Sequence, residues 1–582
     1  MFKTLLKEVR EYKRASIATP LFMLLEVLME TMIPYLMASI IDKGVNAGDL
    51  GHIYRVGGLM IVAAAIGLFA GMAGGRYGAK ASAGLAKNLR GSMFDHIQTF
   101  SFANIDKFST AGLVTRLTTD VTNIQNAYQM MLRMMMRAPA SMICALIMAF
   151  TINVRLASIY LAAVLFLGVI LFFIIRHATR YFRMAFPKYD ELNASVQENV
   201  SAIRVVKAYV REEHETSKFK KASENIYRIF VKAECNVIFN APLMQFTVYT
   251  CIILISWLGA KMIVSSTLTT GELMSLLTYC MNILMSLMML SMVFVMLSMS
   301  TASAERICEV LNEKSDLTNP ENPIHEVTDG SISFRHVNFS YKKDSNEPVL
   351  RDICLDIKSG ETIGIIGATG SAKSSLVALI SRLYDVTSGE VLVGGHNVKA
   401  YDMDSLRNQV SVVLQNNVLF SGTIYDNLRW GDLTATDEEC QQACRLACAD
   451  DFIRTFPQGY ETHIEQGGNN VSGGQKQRLC IARALLKKPK ILILDDSTSA
   501  VDTATDANIR RAFREEIPNT TKLIIAQRIS SVQDADRILV LDEGCINGFG
   551  THEELLASNA IYREVYESQT RGSGDFDEKK EV

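Results

Sequence analysis

The sequence lacks three features that would each identify a class of protein. Its 59 Lys and Arg residues nearly balance its 61 Asp and Glu residues, so net charge gives no electrostatic case for nucleic-acid binding. None of its 11 cysteines forms a C-x-x-C pair, the spacing typical of metal sites. No small-residue cleavage site follows the basic, amphipathic segment Met1–Arg14, which favours a cytoplasmic lead-in helix over a removable signal peptide.

Three of the cysteines, Cys440, Cys444 and Cys448, recur every four residues, which is the spacing of one helix face. We expect these small side chains to pack inward in a cytosolic, reduced domain. A zinc site is a remote alternative, because no paired histidine accompanies them.

Apolar residues are present in long runs, but only in the first half of the chain. At 582 residues the chain is too long for one core, and its second half resembles a soluble α/β domain in composition. The first half holds six segments long and apolar enough to cross a bilayer. They lie near 15–41, 55–75, 129–150, 156–176, 243–264 and 272–298. We therefore expect a helical membrane domain over 1–310, a linker over 311–330, an α/β domain over 331–570 and a disordered tail over 571–582.

Basic residues predict the orientation of these spans in the plasma membrane. Lys and Arg crowd the N-terminal segment and the two long connections, whereas the three short connections are nearly free of them. By the positive-inside rule we expect both termini of this multi-pass protein to be cytoplasmic. Membrane lipids would surround its spans. The long connections are rich in helix formers, so we expect the spans to continue as cytoplasmic helices with short helices at the tips, near Phe100–Phe108 and Ala208–Glu215.

Two features inside the predicted spans invite a functional interpretation. Glu26 and Glu30 share one face of the first span, where ionisable groups are costly and functional by default. Hydrogen bonding to a neighbouring helix, or a position near a water-filled cavity without substrate contact, is an equally good explanation. The last span carries a stripe of methionines, which suits a promiscuous surface but is slightly better explained by helix packing. The stripe consists of Met281, Met285, Met288, Met292, Met296 and Met299.

The second half is organised around a glycine-rich loop between an apolar strand, Thr362–Ile366, and a helix predicted over Ser374–Tyr384. The pattern G-x-x-x-x-G-K-[ST] describes a phosphate-binding loop with inward N–H groups, a lysine charge at Lys373 and a Mg²⁺ ligand at Ser374. One position departs from it, because Ala372 stands where the last glycine belongs. Alanine is disfavoured there if φ is positive.

Further strands and polar residues surround this loop in the expected fold. Buried strands that alternate with helices predict a largely parallel sheet covered on both faces. Tyr341 can stack on a purine, Gln415 follows a strand and can reach Mg²⁺, and Asp495 ends the buried strand Ile491–Leu494 as a further Mg²⁺ residue. Ser472 and the two glycines after it open a predicted helix, Lys476–Leu486, and form a second phosphate site. The predicted strands are Ile332–Phe339, Val349–Ile357, Thr362–Ile366, Val410–Leu414, Ile491–Leu494, Lys522–Ile525 and Ile538–Leu541.

Together these motifs resemble a half-transporter of the ATP-binding cassette exporter family over Met1–Ser568. Gly367–Ser375 is similar to the Walker A motif, Ile491–Asp495 to Walker B, Val471–Gln475 to the signature and Ser499–Asp502 to the D-loop. Gln415 and Tyr341 match the Q-loop and A-loop positions, and the two helix tips match the coupling helices. The resemblance implies ATP and Mg²⁺ as cofactors and head-to-tail dimers, in which each ATP lies between one chain's Walker motifs and the other's signature. The residues implied for nucleotide are Tyr341, Gly367, Thr369, Gly370, Ser371, Ala372, Lys373, Ser374, Ser375, Gln415, Ser472, Gly473, Gly474 and Gln475, with Ser374, Gln415 and Asp495 for the metal.

Two further positions depart from the family pattern. Asp496 stands where a glutamate is expected as general base, and Gln527 stands where a histidine is expected. The shorter carboxylate should hold the attacking water poorly, and an amide cannot carry an imidazolium charge. The signature is intact, and the segment before it, Glu465–Asn470, resembles heteromeric bacterial exporters.

These departures predict the degenerate-site subunit of a heterodimeric, multidrug-type exporter. Its substrate would be an unidentified hydrophobic or amphipathic compound such as a drug, lipid or peptide. Its own Walker site would be slow, and its signature would serve the competent site of a second half-transporter. A regulatory subunit that binds ATP without hydrolysis and a homodimeric lipid flippase are the alternatives.

Overall fold

The computed structural model describes residues 2–341, 347–497 and 500–571, which form two compact units. The first unit comprises Met1–Thr99 and Phe108–Lys314, and the second comprises Phe100–Lys107 and the chain from Ser315. Most of the predicted tail, 572–582, lies outside the described residues.

The first unit is helical, and six of its helices are long and apolar enough to cross a membrane, as predicted. The longest has 49 residues, which at about 1.5 Å per residue is more than twice the hydrocarbon thickness of about 30 Å, so it continues well beyond a bilayer. All but one of the next helices belong to this unit; the exception is α4, which lies almost wholly in the second unit. The α-helices are α1 (Phe2–Lys7), α2 (Lys13–Ser39), α3 (Leu50–Gln98), α4 (Phe102–Phe108), α5 (Thr110–Thr115), α6 (Val121–Ile152), α7 (Val154–Ser201), α8 (Ile203–Ala208), α9 (Glu212–Ile238), α10 (Asn240–Val264) and α11 (Thr270–Asn312).

Polar side chains at the three short connections start the helices that follow. The carboxylate of Asp49 accepts a hydrogen bond from the N–H of His52 at the start of α3. Asn153 accepts from two N–H groups at the start of α7, and Thr269 forms a capping box with Glu272 at the start of α11. Each cap satisfies backbone donors that have no partner within the helix, which fixes where the spans begin.

Short helices were predicted at the tips of the two long connections, and the structure agrees with the first but not with the position of the second. Helix α4 lies within the segment expected from the sequence. The second tip was wrong as placed, because the short helix α8 ends at Ala208, where Ala208–Glu215 was expected to begin. Val210 has φ of 49°, which interrupts the helix, and α9 then begins at Glu212, where acidic residues favour a helix N-terminus.

The core of the second unit is a six-stranded sheet in the order β12-β11-β3-β10-β9-β6, parallel except for the pair β11 and β12. Every residue of the neighbouring strands β9 and β10 is buried, as expected of a parallel sheet covered on both faces. This confirms the predicted α/β class. The strands are β1 (Ile332–Phe339), β2 (Leu350–Ile357), β3 (Thr362–Ile366), β4 (Ser388–Val393), β5 (His396–Asn397), β6 (Val410–Val413), β7 (Gly422–Thr423), β8 (His463–Ile464), β9 (Ile491–Asp495), β10 (Thr521–Ile525), β11 (Arg537–Asp542) and β12 (Cys545–Gly550).

Helices pack around this sheet and supply part of its core. Cys440 and Cys444 are fully buried on α15 (Asp437–Leu446), which confirms the inward-facing interpretation for these two cysteines. It was wrong to place Cys448 on the same helix face, because Cys448 lies beyond the end of α15, has φ of 51° and is partly buried. The helices of this unit are α12 (Lys373–Ile380), α13 (Met403–Gln409), α14 (Ile424–Arg429), α15 (Asp437–Leu446), α16 (Asp450–Thr455), α17 (Gly473–Leu486), α18 (Thr503–Glu516), α19 (His552–Ser558) and α20 (Ala560–Arg571).

A second sheet was missed by the sequence analysis. It has four strands in the order β2-β1-β4-β5, and its pairs are antiparallel. Strands β1 and β2 were predicted as strands but not as a separate sheet. The chain between them is too short for the helical crossover that parallel neighbours need, so antiparallel pairing is the available arrangement.

Candidate nucleotide-binding site

The order of the parallel strands brings four loops to one edge of the sheet. Strand β10 pairs with β3 on one side and β9 on the other, with Ile525 opposite Ile365 and Asp495. Strand β6 follows on the outer side of β9. The carboxyl ends of these strands therefore place the glycine-rich loop, Asp495, Gln527 and Gln415 in one crevice, where ligands bind in open α/β sheets.

Lys373 is held inside the glycine-rich loop. Its Nζ donates to the carbonyl oxygens of Gly367 and Ala368, each at 2.8 Å. Burial lowers the pKa of Lys373, while the carboxylates of Asp495 and Asp496 oppose this shift. Helix α12 begins at Lys373 and ends at Ile380, four residues before the predicted end at Tyr384.

The loop adopts the curve that a phosphate-binding loop requires, although it contains alanine. Ala372 has φ of 71° and Gly370 has φ of 88°. A left-handed conformation costs an alanine about 1 kcal/mol. A Cβ atom at Gly367 would lie 2.2 Å from the carbonyl oxygen of Leu541, so this glycine is required for close packing.

Two oxygen-bearing side chains meet below the loop. Ser374 Oγ donates to Asp495 Oδ1 at 3.0 Å, and burial raises the pKa of Asp495. Hydroxyl and carboxylate oxygens are the ligands that Mg²⁺ prefers. The chemistry of this pair therefore fits a magnesium ion beside the loop.

The two residues that depart from the family pattern contact each other. Gln527 Nε2 donates to Asp496 Oδ2 at 2.8 Å, and Gln415 forms a second side-chain hydrogen bond to Asp496. Burial raises the pKa of Asp496, and these hydrogen bonds and the charge of Lys373 oppose it. The sequence singled out all three residues but could not show that two amides hold one carboxylate.

Tyr341 lies beside the glycine-rich loop, two residues after the end of β1. Its hydroxyl hydrogen-bonds Ser375 Oγ at 2.8 Å, and its half-exposed ring packs edge-on against Tyr384 with centroids 5.2 Å apart. Of the other predicted loop residues, Ser371 is buried and Thr369 is exposed. The tyrosine thus presents an aromatic face at the rim of the loop.

The predicted signature begins helix α17 at Gly473, three residues before the predicted start at Lys476. The N–H of Ser472 donates to Gln475 Oε1 at 2.9 Å, and the N–H of Gln475 donates back to Ser472 Oγ at 3.3 Å. A Cβ at Gly474 would lie 2.8 Å from the carbonyl oxygen of Ala500, so a bare backbone is needed there. Of the predicted D-loop, Ser499 lies outside the described residues, and Asp502 caps α18.

In the membrane unit, Glu26 and Glu30 share one partner that the sequence analysis missed. Arg137 on α6 donates to Glu26 Oε1 and to Glu30 Oε2, each at 2.9 Å. The spacing of Arg133 and Arg137 by four residues, which mirrors that of the two glutamates, was the available signal. Hydrogen bonding to a neighbouring helix is therefore part of their role.

Most of the methionine stripe is not covered by helix packing within this chain. Met281, Met285, Met288 and Met292 are each at least 40% exposed. Met296 is partly buried, and the side chain of Met299 lies outside the described residues. These four methionines are therefore not covered by other helices of this chain, and helix packing in general stays a prediction for them.

Comparisons with known proteins agree with this architecture. The family described as ABC transporter transmembrane region matches residues 17–299, and the family described as ABC transporter matches residues 350–499. The uncharacterized ABC transporter ATP-binding protein YfiB of Bacillus subtilis is 38% identical over 94% of this chain and 95% of its own length. A fatty acid ABC transporter ATP-binding/permease protein of Mycobacterium bovis is 32% identical over 82% of this chain and 75% of its own.

A solved structure shares the whole architecture. It is a bacterial Atm1-family ABC exporter with ATP bound, with a TM-score of 0.82 and 25% identity, over 96% of this chain and 99% of that chain. ABC exporters act as dimers, and their nucleotide-binding domains couple ATP hydrolysis to transport. The chain therefore belongs to the ABC transporter family, in which it is a half-transporter of the exporter type.

Proposed function

We propose that this chain is the degenerate-site half of a heterodimeric exporter, with slow hydrolysis at its own phosphate loop. The observation that carries the proposal is the hydrogen bond between Gln527 and Asp496. Both positions that should activate water and sense the γ-phosphate are occupied by residues that bind each other. The proposal keeps the domain limits expected from the sequence, with a membrane domain over 1–310, a linker over 311–330 and a nucleotide-binding domain over 331–570.

Asp496 is a poor candidate for a general base. Its side chain is one methylene shorter than glutamate, and its carboxylate accepts hydrogen bonds from Gln527 and Gln415. A general base must lie within hydrogen-bond reach of the water that it deprotonates. Gln527 is also always neutral, so it adds no positive charge beside a phosphate.

The residues around the loop fit a bound ATP and Mg²⁺. Lys373 and the loop N–H groups would hold the phosphates, Ser374, Gln415 and Asp495 would hold the metal, and Tyr341 would stack on the purine. When bound, the metal nucleotide supplies the phosphoryl group and the charge that these residues balance. The pKa of Lys373 is lowered by burial, and a phosphate would favour its charged form.

The signature supports a different role from that of the chain's own loop. Ser472 and the glycines after it begin a helix, whose first N–H groups suit a phosphate, and the motif Val471–Gln475 keeps the residues that the resemblance implies. In a head-to-tail pair these groups would face the phosphate loop of a second half-transporter that carries the missing glutamate and histidine. This chain would then complete the partner's competent site.

The transported compound is proposed to be hydrophobic or amphipathic. The exposed methionines of α11 and the relative named as a fatty acid transporter support this class. We also propose that both termini are cytoplasmic, as the distribution of Lys and Arg predicts. Labelling of a cysteine placed at Ser266 should occur from outside the cell, and labelling only from inside would contradict this orientation.

The test of the proposed function is ATPase activity of the purified chain, alone and with a partner half that has Glu and His at the two positions. We expect little turnover from the chain alone and full turnover from the pair. Equal specific activity of the chain alone and the pair would contradict the proposal. A partner that hydrolyses ATP equally well without this chain would show that the signature contributes nothing.

A further inference from the structure

An open cavity of about 520 Å³ in the membrane unit is lined by α2, α3 and α6. Most of its wall is apolar and consists of residues such as Met29, Leu68 and Met72. Four charged side chains also line it: Glu26, Glu30, Arg133 and Arg137. Two carboxylates and two guanidinium groups leave no net formal charge, yet they are not paired one to one.

The pairing leaves both signs of charge available in the same cavity. Arg137 alone bridges the two glutamates, at 2.9 Å each. Glu26 Oε2 is buried and has no hydrogen-bond partner in the described part of the chain. Arg133 Nε is likewise buried and unpartnered there. The two glutamates and Arg137 therefore form a group with one net negative charge, and Arg133 adds one positive charge to the same cavity. Separated charges at the depth of a membrane span are costly unless something else balances them.

Bare backbone on α3 makes room for these groups. A Cβ at Gly71 would lie 3.2 Å from the carboxylate of Glu26, and a Cβ at Gly78 would lie 3.3 Å from Cδ of Arg133. Both contacts are tighter than ordinary packing, so glycine lets each charged side chain lie against the helix. The carboxylate and the guanidinium are therefore accommodated by the same helix that lines the cavity.

We propose that this cavity binds the headgroup of a zwitterionic phospholipid that carries an ammonium group. The ammonium would lie beside the carboxylates of Glu26 and Glu30, of which Glu30 is about half exposed, the phosphate would accept from the guanidinium of Arg133, and the acyl chains would lie along the apolar wall. A purely anionic lipid would leave the net negative charge of the Glu26, Glu30 and Arg137 group unbalanced, and a cation would leave the positive charge of Arg133 unbalanced. This inference rests on the proposed export function for its role as a substrate, but binding itself does not depend on ATP.

The experiment uses the assembled pair in nanodiscs of phosphatidylglycerol, without nucleotide. Phosphatidylethanolamine with a photoreactive acyl chain is cross-linked, and unlabelled lipids compete. We expect unlabelled phosphatidylethanolamine to compete about tenfold better than phosphatidylglycerol or N-acetylated phosphatidylethanolamine, since each lacks the ammonium. Labelled peptides should come from α2, α3 or α6. Equal competition by all three lipids, or labelling elsewhere only, would overturn the proposal.

Variants separate binding from folding. Glu26→Gln keeps an oxygen for Arg137 and removes the net negative charge that would balance the ammonium, and Arg133→Gln removes the phosphate donor. Each should weaken labelling about tenfold, whereas Arg133→Lys should recover part of it and Arg155→Gln, on an exposed residue outside the cavity, should change nothing. Unchanged labelling in both Gln variants would overturn the proposal. ATPase of the same samples reports the proposed function separately, because labelling is measured without ATP.

Discussion

The signature helix and the glycine-rich loop are both motifs that bind phosphate through backbone N–H groups, but only the loop has an alanine where the motif has a glycine. At the signature, Ser472 and Gln475 satisfy each other in a capping box. At the loop, Ala372 takes a left-handed conformation, and Asp496 and Gln527 are bonded to each other. On the function that we propose, the comparison teaches that one chain can carry an intact half of one ATP site and an impaired half of another.

The largest effect is expected from a substitution in the signature motif. Ser472→Arg removes the hydroxyl cap and places a bulky side chain where the partner's nucleotide would lie. Loss of one donor to a developing charge typically costs on the order of 10²–10³ in rate, so turnover of the pair should fall at least that far. Steady-state ATPase of the pair measures it. A control, Ser558→Arg on the exposed end of α19, should leave the rate unchanged, and normal turnover in Ser472→Arg would break the comparison.

Restoring the residues that the family pattern has at Asp496 and Gln527 should change the rate of ATP hydrolysis by a smaller factor. Asp496→Glu with Gln527→His supplies a longer carboxylate and an imidazole, and a positioned general base contributes about 10²–10⁴-fold. We expect at least a tenfold rise in hydrolysis at this chain's own loop. The assay uses a pair whose partner has lost its general base, so that only this site turns over. Each single substitution is the control, and no gain in the double variant would argue against these two residues as the cause of slow hydrolysis.

The backbone strain at Ala372 should be measurable as stability. Glycine is free to adopt φ of 71°, so Ala372→Gly should stabilise the second unit by about 1 kcal/mol, which raises its thermal midpoint by roughly 2–4 °C. Calorimetry of the full chain measures the midpoint. Ala368→Gly, in the same loop but not at positive φ, should lower it instead. A fall in both variants would show that Ala372 is not strained.

The smallest effect is a pH dependence at Asp496. Burial raises the pKa of Asp496 in the folded state above its value in the unfolded state. The free energy of unfolding therefore falls as the pH rises from the unfolded-state pKa to the folded-state pKa. At pH 7 the carboxylate is charged in both states, so the cost of burying its charge is fully present. Asp496→Asn should therefore stabilise the unit at pH 7, by an amount that shrinks as the pH is lowered toward about 3.9.

Asp502→Asn is the control of opposite sign for this pH dependence. A backbone hydrogen bond from Thr505 lowers the pKa of Asp502, so this variant should lose stability at neutral pH and lose less in acid. Thermal midpoints between about pH 3 and pH 7 decide both cases, because both contributions change near the unfolded-state pKa of about 3.9. A stabilisation by Asp496→Asn that grows on acidification would contradict the assignment.

Much of the fold followed from local pattern, and the rest depended on contacts that no local pattern contains. Continuous apolar runs predicted β3, β9 and β10, because a strand buried on both faces has no polar alternation. The separate antiparallel sheet was missed, since pairing partners are set by connection length and not by the apolar character of β1 and β2.

The candidate site also divides into residues that local sequence patterns predicted and contacts that they could not predict. The spacing of glycine, lysine and serine predicted the loop, and the strand that ends at Asp495 predicted the neighbouring carboxylate. The hydrogen bond from Gln527 to Asp496 joins residues that follow two different strands. It can be seen only once β10 is placed beside β9. Arg137 was overlooked because its role depends on which helix faces Glu26.

The most direct test of the account compares two substitutions in the same assembled pair. Asp496→Asn changes the impaired site, and Ser472→Arg changes the intact one. The account predicts that Asp496→Asn keeps most of the steady-state ATPase of the pair, that Ser472→Arg nearly abolishes it, and that nucleotide recovered from this chain's own loop is mostly unhydrolysed ATP. If Asp496→Asn proves as damaging as Ser472→Arg, this chain's own site is catalytic and the asymmetry between its two ends is not functional.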